Sequence, residues 1–187
     1  MEAARYYMAC LDLTGRSVLV VGAGPVGLEK TEGLLAAGAA VTVVSPEVLP
    51  AFEELGVELI RRDYRTTDLD GRFLVVAATN VNVVNRRVFR EAEARSLLCN
   101  VADVPELCSF ILPAVHRHEP IAIGVSTGGA SPALAQHLRD RIATVVGPEH
   151  AELAHRLRAL RPWAKSHFAT YEERKAYFAG LVAEELG

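Results

Sequence analysis

Two stretches of this 187-residue chain put chemically capable groups at telling points. Gly22, Gly24 and Gly27 form G-x-G-x-x-G directly after the β-branched run from Ser17 and at the opening of an amphipathic stretch. A dinucleotide site needs that context. Gly22 permits a tight turn, Gly24 lets a pyrophosphate approach the backbone, Gly27 lets the helix pack closely, and the helix N-terminus favours the anion. Pro25 suits the first helical turn because it has no amide hydrogen to leave unpaired, and Val26 follows it within the same motif. The second stretch, L-L-C-N-V-A-D-V-P-E-L-C-S-F from Leu97, sets Asp103 where an apolar strand gives way to a Pro-containing turn. Asp is common in turns because its side chain bonds nearby amides, and a carboxylate can also accept a proton in catalysis. The residues alone leave punctuation and chemistry both open.

The cofactor reading extends to the second β-branched run, V-T-V-V-S-P-E. An acid there grips a ribose 2'-hydroxyl in the usual arrangement. Here Ser45 holds the expected position, with Pro46 and Glu47 after it. Ser45 can still hydrogen-bond a ribose, and no Arg stands ready for a 2'-phosphate, so NAD is favoured over NADP. Thr79 closes a third apolar run, and Asn100 precedes Asp103 by three residues.

These groups need a scaffold that gathers them. A strand from Ser17, a helix ending at Gly38 and a second strand make a βαβ unit of about 30 residues. The alternation continues through a helical stretch at Glu47–Leu55, a strand at Val57–Ile60, a strand from Phe73, a helix from Val81 to about Arg95 and a strand at Leu97–Val101. Strands so uniformly apolar are expected where helices cover both faces of a parallel sheet. The fold class is therefore α/β, a Rossmann-like parallel sheet over residues 1–112. Ligands of such sheets bind outside the carboxyl ends of the strands, and the glycine turn, Thr79 and Asn100–Asp103 all fall there. Short strands at Ser109–Val115 and Pro120–Val125 are expected to flank a polar turn H-R-H-E, with a helix over Pro132–Val146 after S-T-G-G-A-S-P. Ser131 is placed to cap that helix ahead of Pro132. Residues 113–147 form a mixed segment. Residues 148–187 read as a small helical domain in two pieces divided near Pro162.

Composition sets the outer bounds. Half the residues are hydrophobic and net charge is −3, which supports a real core and gives no sign of a nucleic-acid or membrane-surface partner. No apolar run reaches the roughly 18 residues of a membrane span, and the N-terminus lacks a secretory pattern, so a soluble cytoplasmic protein is expected. The three cysteines, Cys10, Cys99 and Cys108, are odd in number without a C-x-x-C pair, which points to buried free thiols rather than disulfides or a zinc site. His116 and His118 would share one face of a strand, but a surface turn explains them equally well, and no metal ligand is assigned. All six histidines lie beyond residue 112. Arg156, Arg158, Arg161, Lys165 and His167 form an acid-free basic run that could attract a polycarboxylate or simply be a solvated face.

The ordered set D-L-T-G-R-S-V-L-V-V-G-A-G-x-V, A-A-T-N-x-x-x-x-N, C-N-V-A-D, S-F-I-L-P-A and V-S-T-G-G-A-S-P-A-L-A resembles the precorrin-2 dehydrogenase / sirohydrochlorin ferrochelatase family of siroheme synthesis, over nearly the whole chain. H-F-A-T-Y-E-E-R and K-A-Y-F resemble the helical domain that follows in siroheme synthases. The resemblance implies oxidation of precorrin-2 to sirohydrochlorin with NAD as acceptor, and in some members insertion of ferrous iron. It implies a catalytic role for Asp103, plausible as general base, and a tetrapyrrole near Asn100, Thr127, Gly128 and Gly129. A Gly-rich turn is the plain alternative for Thr127–Gly129. The family also implies a homodimer built through residues 113–147. The chain departs from many relatives at Ala23, Gly27 and Glu29, which shifts its motif toward a general Rossmann fingerprint. No methyltransferase domain of the kind fused in some siroheme synthases is read in these residues. The rival function is an NAD(H)-sensing regulatory module without turnover, which accounts for the glycine motif but not for C-N-V-A-D with V-S-T-G-G-A-S-P.

Overall fold

The computed structural model describes residues 6–187 and divides after Leu112 into two compact units. In the first unit, β1 (Ser17–Ala23), β2 (Ala40–Val48), β3 (Glu58–Ile60), β4 (Leu74–Ala77) and β5 (Leu98–Val101) form one parallel sheet in the order β3-β2-β1-β4-β5. Helix α1 (Pro25–Ala36) links β1 to β2, and α2 (Asn82–Glu93) links β4 to β5. The expected Rossmann-like α/β class is what the chain adopts.

The apolar runs are continuous because both faces of each strand are buried. Leu19 and Val21 of β1 join Val75 and Ala77 of β4 in one core, closed by Val88 and Ala92 of α2. Val18 and Val20 join Val43, Leu74, Val76 and the ring of Phe52 in the other, with Leu28, Leu34 and Leu35 of α1 packed against it. The alternation along each strand thus sends successive residues to opposite layers. At the amino ends of the strands Arg72 ties the sheet together, donating to Ser17 Oγ at 2.8 Å and Thr42 Oγ1 at 2.7 Å. The carboxyl ends are left for loops.

Two expected elements in this unit take other forms. The helix expected over Glu47–Leu55 is instead the last residues of β2 followed by a 3-10 turn at Pro50–Glu54. Register explains it: Val21 pairs with Val44 but Ala23 pairs with Val48, so β2 resumes after an excursion. The buried Phe52 pins the turn from below. Of the thiols expected to be buried, Cys99 is buried and Cys108 half-buried, but Cys10 is exposed, lying before the first strand.

The second unit holds an antiparallel hairpin, β6 (Ala114–His118) and β7 (Ile121–Val125), then α3 (Pro132–Ala143), α4 (Pro148–His167) and α5 (Tyr171–Leu186). The strand expected at Ser109–Val115 begins later, and H-R-H lies within β6 rather than in the turn, which is made by Glu119 and Pro120. Proline cannot supply a ladder donor, so it marks the turn more reliably than the polar residues before it. His116 and His118 do share a strand face, their rings 5.2 Å apart. The division expected near Pro162 is absent: α4 runs through that proline to His167. The break comes at Phe168–Thr170, where the Thr170 hydroxyl accepts from the Glu173 amide at 3.2 Å and the Glu173 carboxylate accepts from the Thr170 amide at 3.0 Å. This reciprocal cap satisfies two amides at the start of α5.

Candidate active site

The strand order reverses between β1 and β4, which opens a crevice at the carboxyl edge of the sheet. The glycine turn borders it. A Cβ added to Gly22 would stand 2.5 Å from the Ala78 carbonyl oxygen, and Gly22 has φ +107°. One added to Gly27 would press on the Gly22 carbonyl oxygen at 2.2 Å. Both positions are glycine because backbone packs on backbone there. Gly24 differs: a Cβ there would meet nothing within 4 Å. Its glycine leaves space that the protein itself does not fill.

Gly24 is also the N-cap of α1, which has Pro25 in its first turn and no side-chain cap. The amides at Val26 and Gly27 thus lie at a helix end with partial positive charge and no internal acceptor from a cap. An uncapped N-terminus beside an open glycine fits a pyrophosphate, which supplies acceptors and charge together. The residues fit a bound dinucleotide.

The excursion between Val44 and Val48 lies opposite Gly22 in the register with β1. It carries Ser45, Pro46 and Glu47. Ser45 is 8% exposed and donates its hydroxyl hydrogen to the Glu47 carbonyl at 2.6 Å, so its oxygen is left as an acceptor. Pro46 and Glu47 are exposed. Glu47 has no ion-pair or side-chain hydrogen-bond partner among the described residues. The acid at the end of the second strand therefore comes two residues late, on a projecting turn rather than on the strand itself.

Thr79, just past β4, is fixed by a residue whose role the sequence did not disclose. Asn85 of α2 is 5% exposed; its Oδ1 accepts from the Thr79 hydroxyl at 2.7 Å and the Thr79 amide at 3.3 Å, and its Nδ2 donates to the Thr79 carbonyl at 2.9 Å. One side chain thus satisfies both backbone groups of the loop at the crevice. Its signal was the last Asn of A-A-T-N-V-N-V-V-N, six residues after the threonine it holds.

Asp103 follows β5, the neighbour of β4. The Ala102 amide donates to the Ala77 carbonyl at 2.9 Å, which ties this turn to the end of β4. The Asp103 side chain is exposed and has no hydrogen-bond or ion-pair partner among the described residues. Its backbone is left-handed, with φ +60°. A side chain serving only as turn punctuation bonds a nearby amide, and this one does not. Neighbouring strands lie about 4.8 Å apart, so β1 and β5 are separated by roughly 10 Å across β4. A dinucleotide held by the β1 and β2 turns would have room to extend over β4 toward Asp103.

Asn100 does not present its amide to the crevice freely. It is 7% exposed, and its Nδ2 donates to the Phe110 carbonyl at 3.0 Å. Thr127, Gly128 and Gly129 lie in the second unit, between β7 and α3. There the Thr127 hydroxyl donates to the Ser131 carbonyl at 3.0 Å and accepts from the Ser131 amide at 3.1 Å, while Ser131 caps α3 through the Leu134 amide at 3.1 Å. Gly128 and Gly129 have φ +63° and +86°, the region that glycine enters without cost. Among the described residues no three His, Cys, Asp or Glu side chains converge as a metal site.

Residues 9–114 match the family model described as "Putative NAD(P)-binding". The chain belongs to that family. Residues 119–144 match the model described as "Sirohaem biosynthesis protein central". Siroheme synthase from Methylobacillus flagellatus is 39% identical over 100% of this chain and 41% of its own length. Siroheme synthase from Ectopseudomonas mendocina is 38% identical over 93% of this chain and 39% of its own. The chain thus spans about two fifths of these curated relatives. A solved structure titled "SirC, precorrin-2 dehydrogenase" superposes with a TM-score of 0.79 at 26% identity, covering 95% of this chain and 89% of that one. These matches bear out the resemblance read from the ordered motifs.

Proposed function

We propose that the protein oxidises precorrin-2 to sirohydrochlorin with NAD as the hydride acceptor. The observation that carries this reading is Asp103: a carboxylate exposed and unpartnered among the described residues, in the turn that follows β5, the strand next to β4, at the carboxyl edge of a dinucleotide-binding sheet. Support comes from the siroheme synthases and the precorrin-2 dehydrogenase to which the chain is similar.

Removing two hydrogens from a carbon framework means losing one as hydride and one as a proton. Bound NAD supplies the hydride acceptor. The uncapped amides of α1 and the open face of Gly24 hold its pyrophosphate, and the Ser45–Glu47 turn holds a ribose. Asn85 keeps the Thr79 loop, just past the carboxyl end of β4, in one shape. Asp103 accepts the proton; having no partner to release first, it needs only to be ionised and within reach. Thr127, Gly128 and Gly129 are assigned to the tetrapyrrole, whose bulk suits a loop without side chains at two successive positions. Asn100 shapes the floor of the Asp103 turn.

We also propose a homodimer. Leu134 and Leu138 stand one turn apart on α3 and Val145 lies in the turn just after that helix, all exposed at 39% or more. Such an apolar stripe suits a second copy, and light scattering would report the mass.

The test of the catalytic reading is Asp103→Asn. Asn tolerates left-handed backbone, so the variant should fold and bind NAD while turnover falls by about 100-fold or more. Turnover equal to the unmodified protein would remove Asp103 from the mechanism.

A further inference from the structure

We propose that Cys108 is a positioning residue for Asp103, its thiol bridging the two ends of the turn that carries the carboxylate. The inference rests on the assignment of Asp103 as proton acceptor. The turn runs from Val101 to Val104, closed by the Val104 amide donating to the Val101 carbonyl at 3.2 Å. Within it Asp103 takes a left-handed conformation that costs an L-residue roughly 1 kcal/mol, so neighbouring contacts must hold it.

The Cys108 sulfur makes those contacts. It accepts from the Val101 amide at 3.3 Å, and its hydrogen is shared between the Val101 carbonyl at 3.2 Å and the Val104 carbonyl at 3.3 Å. The Asn100 Nδ2 lies 3.5 Å away. One atom therefore meets the backbone at both ends of the turn. Burial pushes the thiol above its ordinary pKa, so it keeps the hydrogen that this role requires. The 3-10 turn Pro105–Leu107 brings Cys108 back to this point, and the Ser109 amide donating to the Cys99 carbonyl at 2.8 Å fixes the return. Cys99, which belongs to the core between sheet and α2, makes no hydrogen bond to the turn through its sulfur among the described residues.

The difference between these two cysteines provides the test. Steady-state kinetics with precorrin-2 and NAD, NAD affinity by calorimetry and thermal midpoints are measured for Cys108→Ala, Cys108→Ser, Cys99→Ala and Asp103→Asn. A misplacement of about 1 Å costs on the order of 100-fold in rate, so Cys108→Ala should lose 10- to 100-fold in kcat with NAD affinity within twofold. Cys108→Ser keeps a donor and an acceptor and should recover most of that loss. Cys99→Ala should lower the thermal midpoint at least as much while kcat stays within twofold. Full kcat in Cys108→Ala beside an inactive Asp103→Asn would overturn this proposal and leave the catalytic assignment intact. Equal kcat losses in Cys108→Ala and Cys99→Ala would also overturn it, since the effect would then follow stability. An active Asp103→Asn would overturn both.

Discussion

Replacing Gly24 with Ala separates binding from folding at the centre of the cofactor turn. The added methyl meets no protein atom within 4 Å, and the backbone at φ −86° is open to any L-residue. Two small stability terms oppose each other. Alanine is a poorer N-cap than glycine by about 0.5–1 kcal/mol, and it reduces the freedom of the unfolded chain by about 0.4–1 kcal/mol. Their sum is near zero, so the thermal midpoint should move by no more than about 2 °C. Binding has no such cancellation. The methyl enters the space where a pyrophosphate would approach the amides of α1, and one charge-assisted hydrogen bond is worth about 1.5–3 kcal/mol. Losing one weakens NAD binding by roughly 10- to 150-fold. Calorimetric titration with NAD beside scanning calorimetry without it would read both quantities. Gly22→Ala and Gly27→Ala give the reverse pattern, because their methyls strike backbone oxygens at 2.5 and 2.2 Å. Each should lower the midpoint by at least about 5 °C. Unchanged NAD affinity in a well-folded Gly24→Ala would refute the path assigned to the pyrophosphate.

Two further outcomes follow from buried groups in the first unit. Asp68 is 7% exposed and accepts from both terminal nitrogens of Arg62, at 2.9 and 2.6 Å, and from the Arg65 amide at 2.7 Å. The Arg62 hydrogen bonds hold its carboxyl below the usual range, so its contribution is complete above about pH 4 and is lost as pH falls through the lower native-state value. Asp68→Asn should therefore lower the urea midpoint at pH 7, with a gap that narrows toward pH 2; a constant gap would contradict the pairing. Burial pushes the Cys99 thiol up to about 12 and raises that of Cys108, while Cys10 is exposed. Iodoacetamide at pH 8 should modify Cys10 alone before unfolding, as read by peptide mass spectrometry, and prompt modification of Cys99 would contradict the burial of that strand.

The sheet and its glycine turn were legible because their signals are local. Uniformly apolar runs name strands with two covered faces, and a fixed glycine spacing between strand and helix names the turn. The Ser45–Glu47 excursion was hidden because it depends on how β2 re-registers against β1 after Val44. Pro162 misled for a related reason: a proline removes one bond from a helix, whereas the ending of α4 is set by the Thr170–Glu173 cap that begins the next helix. That cap follows a short sequence pattern, T-x-x-E, and could have been found. Asn85 and Cys108 were opaque in another way. Each acts on a loop reached only through the fold, Asn85 from α2 onto Thr79 and Cys108 from beyond a 3-10 turn onto Val101 and Val104. Asp103 could be singled out by type and place, but its left-handed backbone and its unpartnered carboxylate become visible only once the strands are assembled.

The proposed reaction removes a hydride and a proton from a tetrapyrrole at this sheet edge. Its most direct test is anaerobic incubation of the purified protein with enzymatically generated precorrin-2 and NAD, following the visible spectrum of the tetrapyrrole and the appearance of NADH together. Conversion to sirohydrochlorin is expected, with one NADH formed per molecule converted. NAD binding without any conversion would contradict it and favour a domain that senses the dinucleotide without turning it over.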